Sequence, residues 1–297
     1  MSGHTGAEEL ITKKYRKRSR SGELFHRVMG NKGAMAGLII ISLILLAFAV
    51  SLFAISYEAM TATSAKNKIM PPSVQFPFGT DTLGRNIFLR VAYGTRYSLA
   101  IGFGTTIISF VLGVFIGAVA GYYGGMLESF IMRISEILTS VPSMLFTMVM
   151  MMTFGQGLGS MVLAMGINGI PAYIRISRAS VLRLRDDEYV EAAKATGISN
   201  LRIIFTEVLP NGMAPIIITL TTGIGMTILS AAGLSYLGFG IQPPLPEWGG
   251  LVSAGRGQLM AAPWVSLFPG LAVMFTVLSF NMLGDGLRDA LDPKLKR

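Results

Sequence analysis

The chain has 297 residues, 52% apolar and only 14% charged, with a mean hydropathy of +0.58 and a formal net charge of +9. That is too apolar for an ordinary water-soluble domain, and uncharged apolar runs of about 18 residues or more read as membrane helices. The absence of cysteine excludes disulfides and Cys-ligated metals, and the two histidines, His4 and His26, lie ahead of the first apolar run, so no His-built site sits within the membrane.

Residues 1–33 form a polar N-terminal tail. Its basic run at 13–20, KKYRKRSR, precedes the first span, where the positive-inside rule expects it. Topology and attraction to anionic lipid headgroups explain that charge, and nucleic acid is not an expected partner. Because the first apolar run is long and lies behind this tail, it reads as a retained anchor rather than a cleaved signal. Residues 34–55 make the first span. An extracytoplasmic segment follows at 56–96, with Pro71, Pro72 and Pro77 keeping its first half extended or turning. From Thr82 a half-buried helix is expected, with Leu83, Ile87 and Val91 on one side.

The transmembrane core runs over 97–286. Its second span, 99–121, carries Gly113, Gly117 and Gly121 at the four-residue spacing that lets helices approach closely. Glu128, Arg133 and Glu136 make a charged approach to a third span at 137–154. Met144, Met148, Met150, Met151 and Met152 in that span are packing residues first, and an adaptable substrate lining second. A short fourth span at 158–174 is expected to be interrupted by Gly166, Gly169 and Pro171, a break tolerated where it lines a cavity. The loop 175–210 follows, then a fifth span at 213–234, a second outer segment, a sixth span at 265–283 and a C-terminal tail at 287–297. The expected fold class is therefore all-α, a polytopic membrane protein with six transmembrane helices. Most of the 25 Lys and Arg residues fall in the two tails and the 175–210 loop, which places all three in the cytoplasm. Five of the six outer exceptions gather in one segment, as Lys66, Lys68, Arg85, Arg90 and Arg96, with Arg256 in the second outer segment.

The stretch 186–210, DDEYVEAAKATGISNLRIIFTEVLP, is a polar, helix-forming insert between apolar segments. Asp186, Asp187 and Glu188 open it, where a helix N-terminus favours negative charge. Tyr189, Ala192, Ala193 and Thr196 share one helical face, a small one suited to a groove, and Asp187, Glu191 and Lys194 share the other. Gly197 stands at the expected C-cap, and Ser199 at the N-cap of a second helix. That helix carries Leu201, Ile204, Phe205 and Val208 on one side and is expected to stop before Pro210.

Glu191-Ala192-Ala193, Gly197 four residues on and Leu209-Pro210 resemble the EAA loop of ABC-importer permeases, although Glu207 stands where that pattern has Ile. In that family the loop is a cytoplasmic coupling helix that fits a cleft on the ATPase subunit. The resemblance thus implies Glu188, Glu191, Ala192, Ala193, Gly197, Leu209 and Pro210 as ATPase-coupling residues. Further stretches resemble the dipeptide, oligopeptide and nickel branch of the family. They are Phe78-Gly79-Thr80-Asp81 with Leu83-Gly84-Arg85, where Asn86 replaces the usual Asp; the run LSYLGFG at 234–240 with Gln242-Pro243-Pro244 and Trp248-Gly249; and LGDGLRD at 283–289. Together they cover about residues 24 to 295, and within the branch the chain resembles the "C" permease. The resemblance implies a bacterial inner-membrane subunit that pairs with a sister permease, two cytoplasmic ATPases and an extracytoplasmic solute-binding protein. Asp81, Arg85, Pro243, Pro244 and Trp248 become candidate contacts with that binding protein.

The chain has no GxxxxGK[ST] loop and no Gly-Lys dipeptide, so it lacks the usual phosphate cradle. No paired carboxylates or Ser/His constellation suggests catalysis. It is expected to bind no cofactor or metal and not to be an enzyme, with ATP and Mg used by partner ATPases. Peptide import leads, with nickel or nickel chelates as the alternative cargo. An ion-coupled secondary carrier, the rival of another class, commonly carries intramembrane acids or bases, which the central stretches of the second, fifth and sixth spans lack.

Overall fold

The computed structural model describes residues 20–291. Among them the regular structure is helical, with one isolated bridge between Thr80 and Asn86. The main helices are α1 (Arg20–Gly30), α2 (Lys32–Ala54), α3 (Ile87–Tyr123), α4 (Gly125–Ser140), α5 (Ser143–Phe154), α6 (Leu158–Leu184), α7 (Glu188–Ala195), α8 (Met213–Tyr236), α9 (Trp248–Ala254) and α10 (Trp264–Leu291). The basic run at 13–20 lies outside the described residues apart from Arg20, as does the end of the C-terminal tail.

Helices α2, α3, α8 and α10 are long and apolar enough to cross a membrane, and α4 with α5 makes a fifth crossing if the bent pair is one span. Helix α2 is apolar on every side and leaves Leu43, Leu46 and Phe53 exposed, as suits a surface solvated by acyl chains. Helix α6 is long enough, at 27 residues and about 40 Å. Arg175, Arg178 and Arg183 occupy its second half, so its apolar stretch is short.

Four expectations are corrected. The helix expected from Thr82 and the second span are one helix of 37 residues, which starts only at Ile87. Asn86 caps it, its Oδ1 accepting from Phe88 N at 3.0 Å, and Leu83 lies outside it and exposed. The third span is broken by an 83° bend between α4 and α5. Pro142 causes the break: it lacks an N–H, and it drives Val141 out of the helical region to φ −86°, ψ 127°. In the fourth span, by contrast, the helix continues without a break through Gly166, Gly169 and Pro171. Its neighbour supports it there, with Ser109 Oγ donating to the Gly166 carbonyl at 2.7 Å. Helix α10 likewise continues to Leu291, past the expected start of the tail at 287.

The glycine ladder does what its spacing predicts. Helix α3 lies against α6 so closely that a Cβ on Gly113 would stand 2.5 Å from Tyr173 Cβ. One on Gly117 would stand 2.4 Å from the Ile174 carbonyl oxygen, and one on Gly121 2.8 Å from that of Arg178. With no side chain between the backbones, dispersion and short polar contacts hold the pair. Ser177 Oγ donates to the Val114 carbonyl at 2.9 Å in the same seam.

The helices give the molecule two distinct ends. The 186–210 loop joins α6 to the start of α8, and the chain leaves the far end of α8 about 36 Å away, after 24 residues. At that far end the segment around 56–86 packs on the first turns of α10, with Phe78 stacked on Phe268 at 4.1 Å and Trp264 Nε1 donating to the Thr80 carbonyl at 3.3 Å. The last turns of α10 return to the loop end, where Arg288 and Leu291 share a crevice with Arg183 and Asn211. There Asn31, the N-cap of α2, donates to Asp289 at 2.9 Å.

Candidate functional site

At the loop end, α7 is a helix of eight residues held by one buried side chain. Val190 is fully buried in a cluster with Ile203, Ile204, Val208, Val181 and Ala118, and Ala193 packs partly against it. Of the small face suited to a groove, Tyr189 is exposed and only Ala193 turns partly inward. Ala192 and Thr196 are exposed, and the outward stripe is Glu188, Glu191, Ala192 and Ala195, one helical face at i, i+3, i+4 and i+7. With alanine on both sides of so short a helix, the spacing alone did not decide which side faces in; the lone branched residue, Val190, was the signal. Partial burial raises the Tyr189 hydroxyl above the ordinary phenol range.

Thr196 N and Gly197 N close the helix on the carbonyls of Ala192 and Lys194, at 3.2 and 3.0 Å. Gly197 takes φ +78° with open space around it, the left-handed cap its position called for. Beyond it the second helix differs from expectation in two ways. Leu201 is exposed and Ile203 buried in its stead, and the helix does not stop before Pro210. It passes through a π-helical turn at Ile204–Val208 into a further turn at Leu209–Asn211. Pro210 sits at the start of that turn, where a missing N–H costs nothing. Leu209 is buried and Pro210 exposed.

The loop is fastened to the end of α3. Phe205 stacks on Phe115 at 5.3 Å, Tyr122 donates to Asn200 Oδ1 at 3.2 Å, and the Lys194 ammonium stands 5.5 Å over the Tyr122 ring. Arg185 donates to the Gly121 carbonyl at 3.0 Å. The acid–base approach to the third span divides in two: Arg133 pairs with Glu136 on the surface, whereas Glu128 reaches across to Arg178 on α6.

At the opposite end, the candidate contact residues split between surface and interior. Asp81 is a buried hub. Its Oδ1 accepts from the backbone N–H groups of Leu83 and Arg85 at 2.9 and 3.0 Å, and its Oδ2 from Arg85 Nε and Arg90 Nη1 at 2.7 and 2.9 Å. Trp248 is buried as well, its Nε1 donating to the Val91 carbonyl at 2.9 Å. Both residues are thus buried in the chain and hold this end together. Arg85 is partly exposed, and Pro243 and Pro244, joined by a cis peptide bond, are exposed.

Two buried groups that the sequence reading missed complete this end. Arg90 makes the second half of the Asp81 pair, and Glu247 is 1% exposed. Glu247 caps α9, accepting from Gly249 N and Gly250 N at 2.8 and 2.9 Å. An acid directly before a Trp-Gly-Gly helix start was the available signal. The outer basic residues have internal partners here too, since Arg96 lies 4.0 Å over the Tyr93 ring and donates to Ser51 Oγ at 3.1 Å. Among the described residues no group of three or more His, Cys, Asp or Glu side chains could hold a metal ion.

Comparison with known proteins bears on this arrangement. Residues 113–297 match the family model described as binding-protein-dependent transport system inner membrane component. The chain is 45% identical to a dipeptide transport system permease protein of Alkalihalophilus pseudofirmus, over 92% of this chain and 90% of that one. It is 39% identical to an oligopeptide transport system permease protein of Bacillus subtilis, over 100% and 96%. It is also 41% identical to a glutathione transport system permease protein of Pectobacterium atrosepticum, over 88% and 86%. Among solved structures, an inward-facing MetNI methionine ABC transporter chain superposes with a TM-score of 0.58 at 17% identity, covering 69% of this chain and 98% of that one, a likeness of fold. The chain therefore belongs to the binding-protein-dependent transport family, as a multi-pass inner-membrane permease component that leaves ATP hydrolysis to separate subunits.

Proposed function

We propose that this chain forms half of the translocation path of a peptide importer. It pairs with a sister permease, receives short peptides from an extracytoplasmic binding protein and is driven by two cytoplasmic ATPases that bind the ATP and Mg. The observation that carries the peptide reading is the similarity to dipeptide and oligopeptide permeases over nearly the whole chain. Nickel is not favoured, because the relatives compared above are named for dipeptide, oligopeptide and glutathione transport. The coupling part falls to α7. Its outward stripe of Glu188, Glu191 and Ala192, with the Gly197 turn and Pro210, docks on an ATPase, while Val190, Ala193 and Leu209 fasten the loop to α3, α6 and α8. ATP-driven closure of the ATPases then tilts the loop and the helices joined to it, a shift between outward and inward openings.

In this reading the chain crosses the membrane six times, with α6 as the additional pass, and the described ends of α1 and α10 lie on the cytoplasmic side with the loop. Arg85, Pro243 and Pro244 are left as the contacts for the binding protein. The reading is tested by purifying the tagged chain from its own host in mild detergent and reconstituting what accompanies it in proteoliposomes. Co-purification of two ATPases and a second permease, with ATP-dependent dipeptide uptake, is the expected result. A chain that emerges alone, or a complex that imports nickel chelates unaffected by peptides, overturns it.

A further inference from the structure

A groove of about 270 Å³ opens between the middles of α3, α5, α6 and α8. None of the side chains lining it is charged, and in a wall that is otherwise mostly apolar, with Met144, Met165 and Met226, stand hydroxyls and one amide: Thr105, Thr106 and Ser109 from α3, Asn168 from α6, Thr227 and Ser230 from α8. Three of these groups are under-used by the protein itself. Thr105 Oγ1 is buried with no hydrogen-bond partner, and the Thr106 and Thr227 hydroxyls are 3.4 Å apart, long for an O–H···O bond. Polar groups at this depth cost free energy unless something satisfies them. The volume is just under the ~300–1,000 Å³ usual for small-molecule sites, as suits one wall of a site closed by a second subunit.

A peptide passing here brings an N–H and a C=O with nearly every residue, and both need partners away from water. A hydroxyl both donates and accepts and rotates freely, so a row of hydroxyls serves an N–H or a C=O in any register. A fixed charge in the wall would instead trap cargo of opposite sign and repel cargo of like sign, since attraction and repulsion strengthen as water is excluded. Transit also requires contacts strong enough to admit the cargo and weak enough to release it. We infer that this groove is a transit site for the peptide main chain, recognising backbone amides and carbonyls through Thr105, Thr106, Asn168, Thr227 and Ser230, and that the neutrality of its wall makes passage indifferent to side-chain charge. The inference rests on the peptide-import reading.

The test uses the complete transporter in proteoliposomes and three dipeptides: Ala-Ala, Ala-Lys and Ala-Asp. Uptake of each by Ser230→Lys and Ser230→Asp is divided by its uptake by the unmodified transporter, so that the binding protein's own preference cancels. Ser230→Lys is expected to depress Ala-Lys relative to Ala-Asp about tenfold, equivalent to ~1.4 kcal/mol, and Ser230→Asp to do the reverse. Should either variant fail to assemble, Thr227→Cys and Ser230→Cys are labelled after assembly with cationic or anionic methanethiosulfonates. This chain has no cysteine of its own, and the unsubstituted complex serves as blank. Charge-dependent uptake after labelling supports the inference. Equal scaling of all three dipeptides, or no effect of either charge, overturns the groove while leaving peptide import intact. No uptake of any dipeptide by the unmodified transporter overturns the import reading and the inference with it.

Discussion

Asp81 Oδ2 lies 2.9 Å from Arg90 Nη1, a buried ion pair that fastens the 56–86 segment to the first turn of α3. Arg85 shares the same oxygen at 2.7 Å, and two backbone N–H groups satisfy the other oxygen. Removing the carboxylate leaves Arg90 buried and unpaired, a loss of about 3–5 kcal/mol for a broken buried pair. Asp81→Ala is therefore expected to lower the melting temperature in detergent and to open the 56–86 segment to protease. Arg85→Ala, which leaves Arg90 paired, should do much less. Equal behaviour of the two variants would show that the hub is not what secures the segment.

Gly117 faces the backbone of Ile174, and a side chain there meets a carbonyl oxygen rather than a flexible group. Gly117→Val is expected to push α3 from α6 and to cost about 3 kcal/mol, the upper part of the range for overpacking. Differential scanning fluorimetry of the purified permease reads this directly. Gly159→Ala is the control, since an added Cβ at that position meets nothing within 4 Å.

Gly197 has space around it but a backbone at φ +78°. Gly197→Val thus brings strain without a clash, about 1–2 kcal/mol for a left-handed L-residue. The expected outcome is a loop that no longer turns correctly into the 200–211 stretch, with ATP-dependent uptake reduced and the melting temperature of the helices nearly unchanged. Normal uptake would count against a coupling role for the turn.

Val190 and Glu191 are neighbours in α7, the first buried and the second exposed, which separates anchoring from docking. Val190→Asp places an unpaired charge in an apolar cluster and is expected to release the loop, at a cost of several kcal/mol. Glu191→Lys reverses an exposed charge and should leave stability alone, while weakening retention of the ATPases as assessed by co-purification. If Glu191→Lys retains the ATPases and couples normally, the docking face lies elsewhere.

Much of this architecture was legible in the sequence because lipid demands long apolar helices and close packing demands glycine. The 113–117–121 ladder and the Gly197 turn follow from spacing and backbone freedom alone. Other features depend on which face of an element finds a neighbour, which no single segment encodes. Pro142 and Pro171 look alike in sequence, yet α4 and α5 break at the first, whereas α6 continues through the second with α3 packed alongside. Asp81 and Trp248 look like exposed loop residues until the two segments of that end close over them. Val190 is inward only because α7 meets α3, α6 and α8 along that side.

Helix α3 runs from the Asp81–Arg90 pair to the Tyr122–Asn200 contact as one uninterrupted rod of 37 residues, about 55 Å, with no proline in it. Glycine ordinarily softens a helix, but at 113, 117 and 121 the backbone of α6 supports it on one side. A displacement at one tip therefore has few places to dissipate before it arrives at the other. In the proposed importer, news that a loaded binding protein has docked at one face reaches the α7 loop through this single helix, without waiting for the rest of the bundle to rearrange.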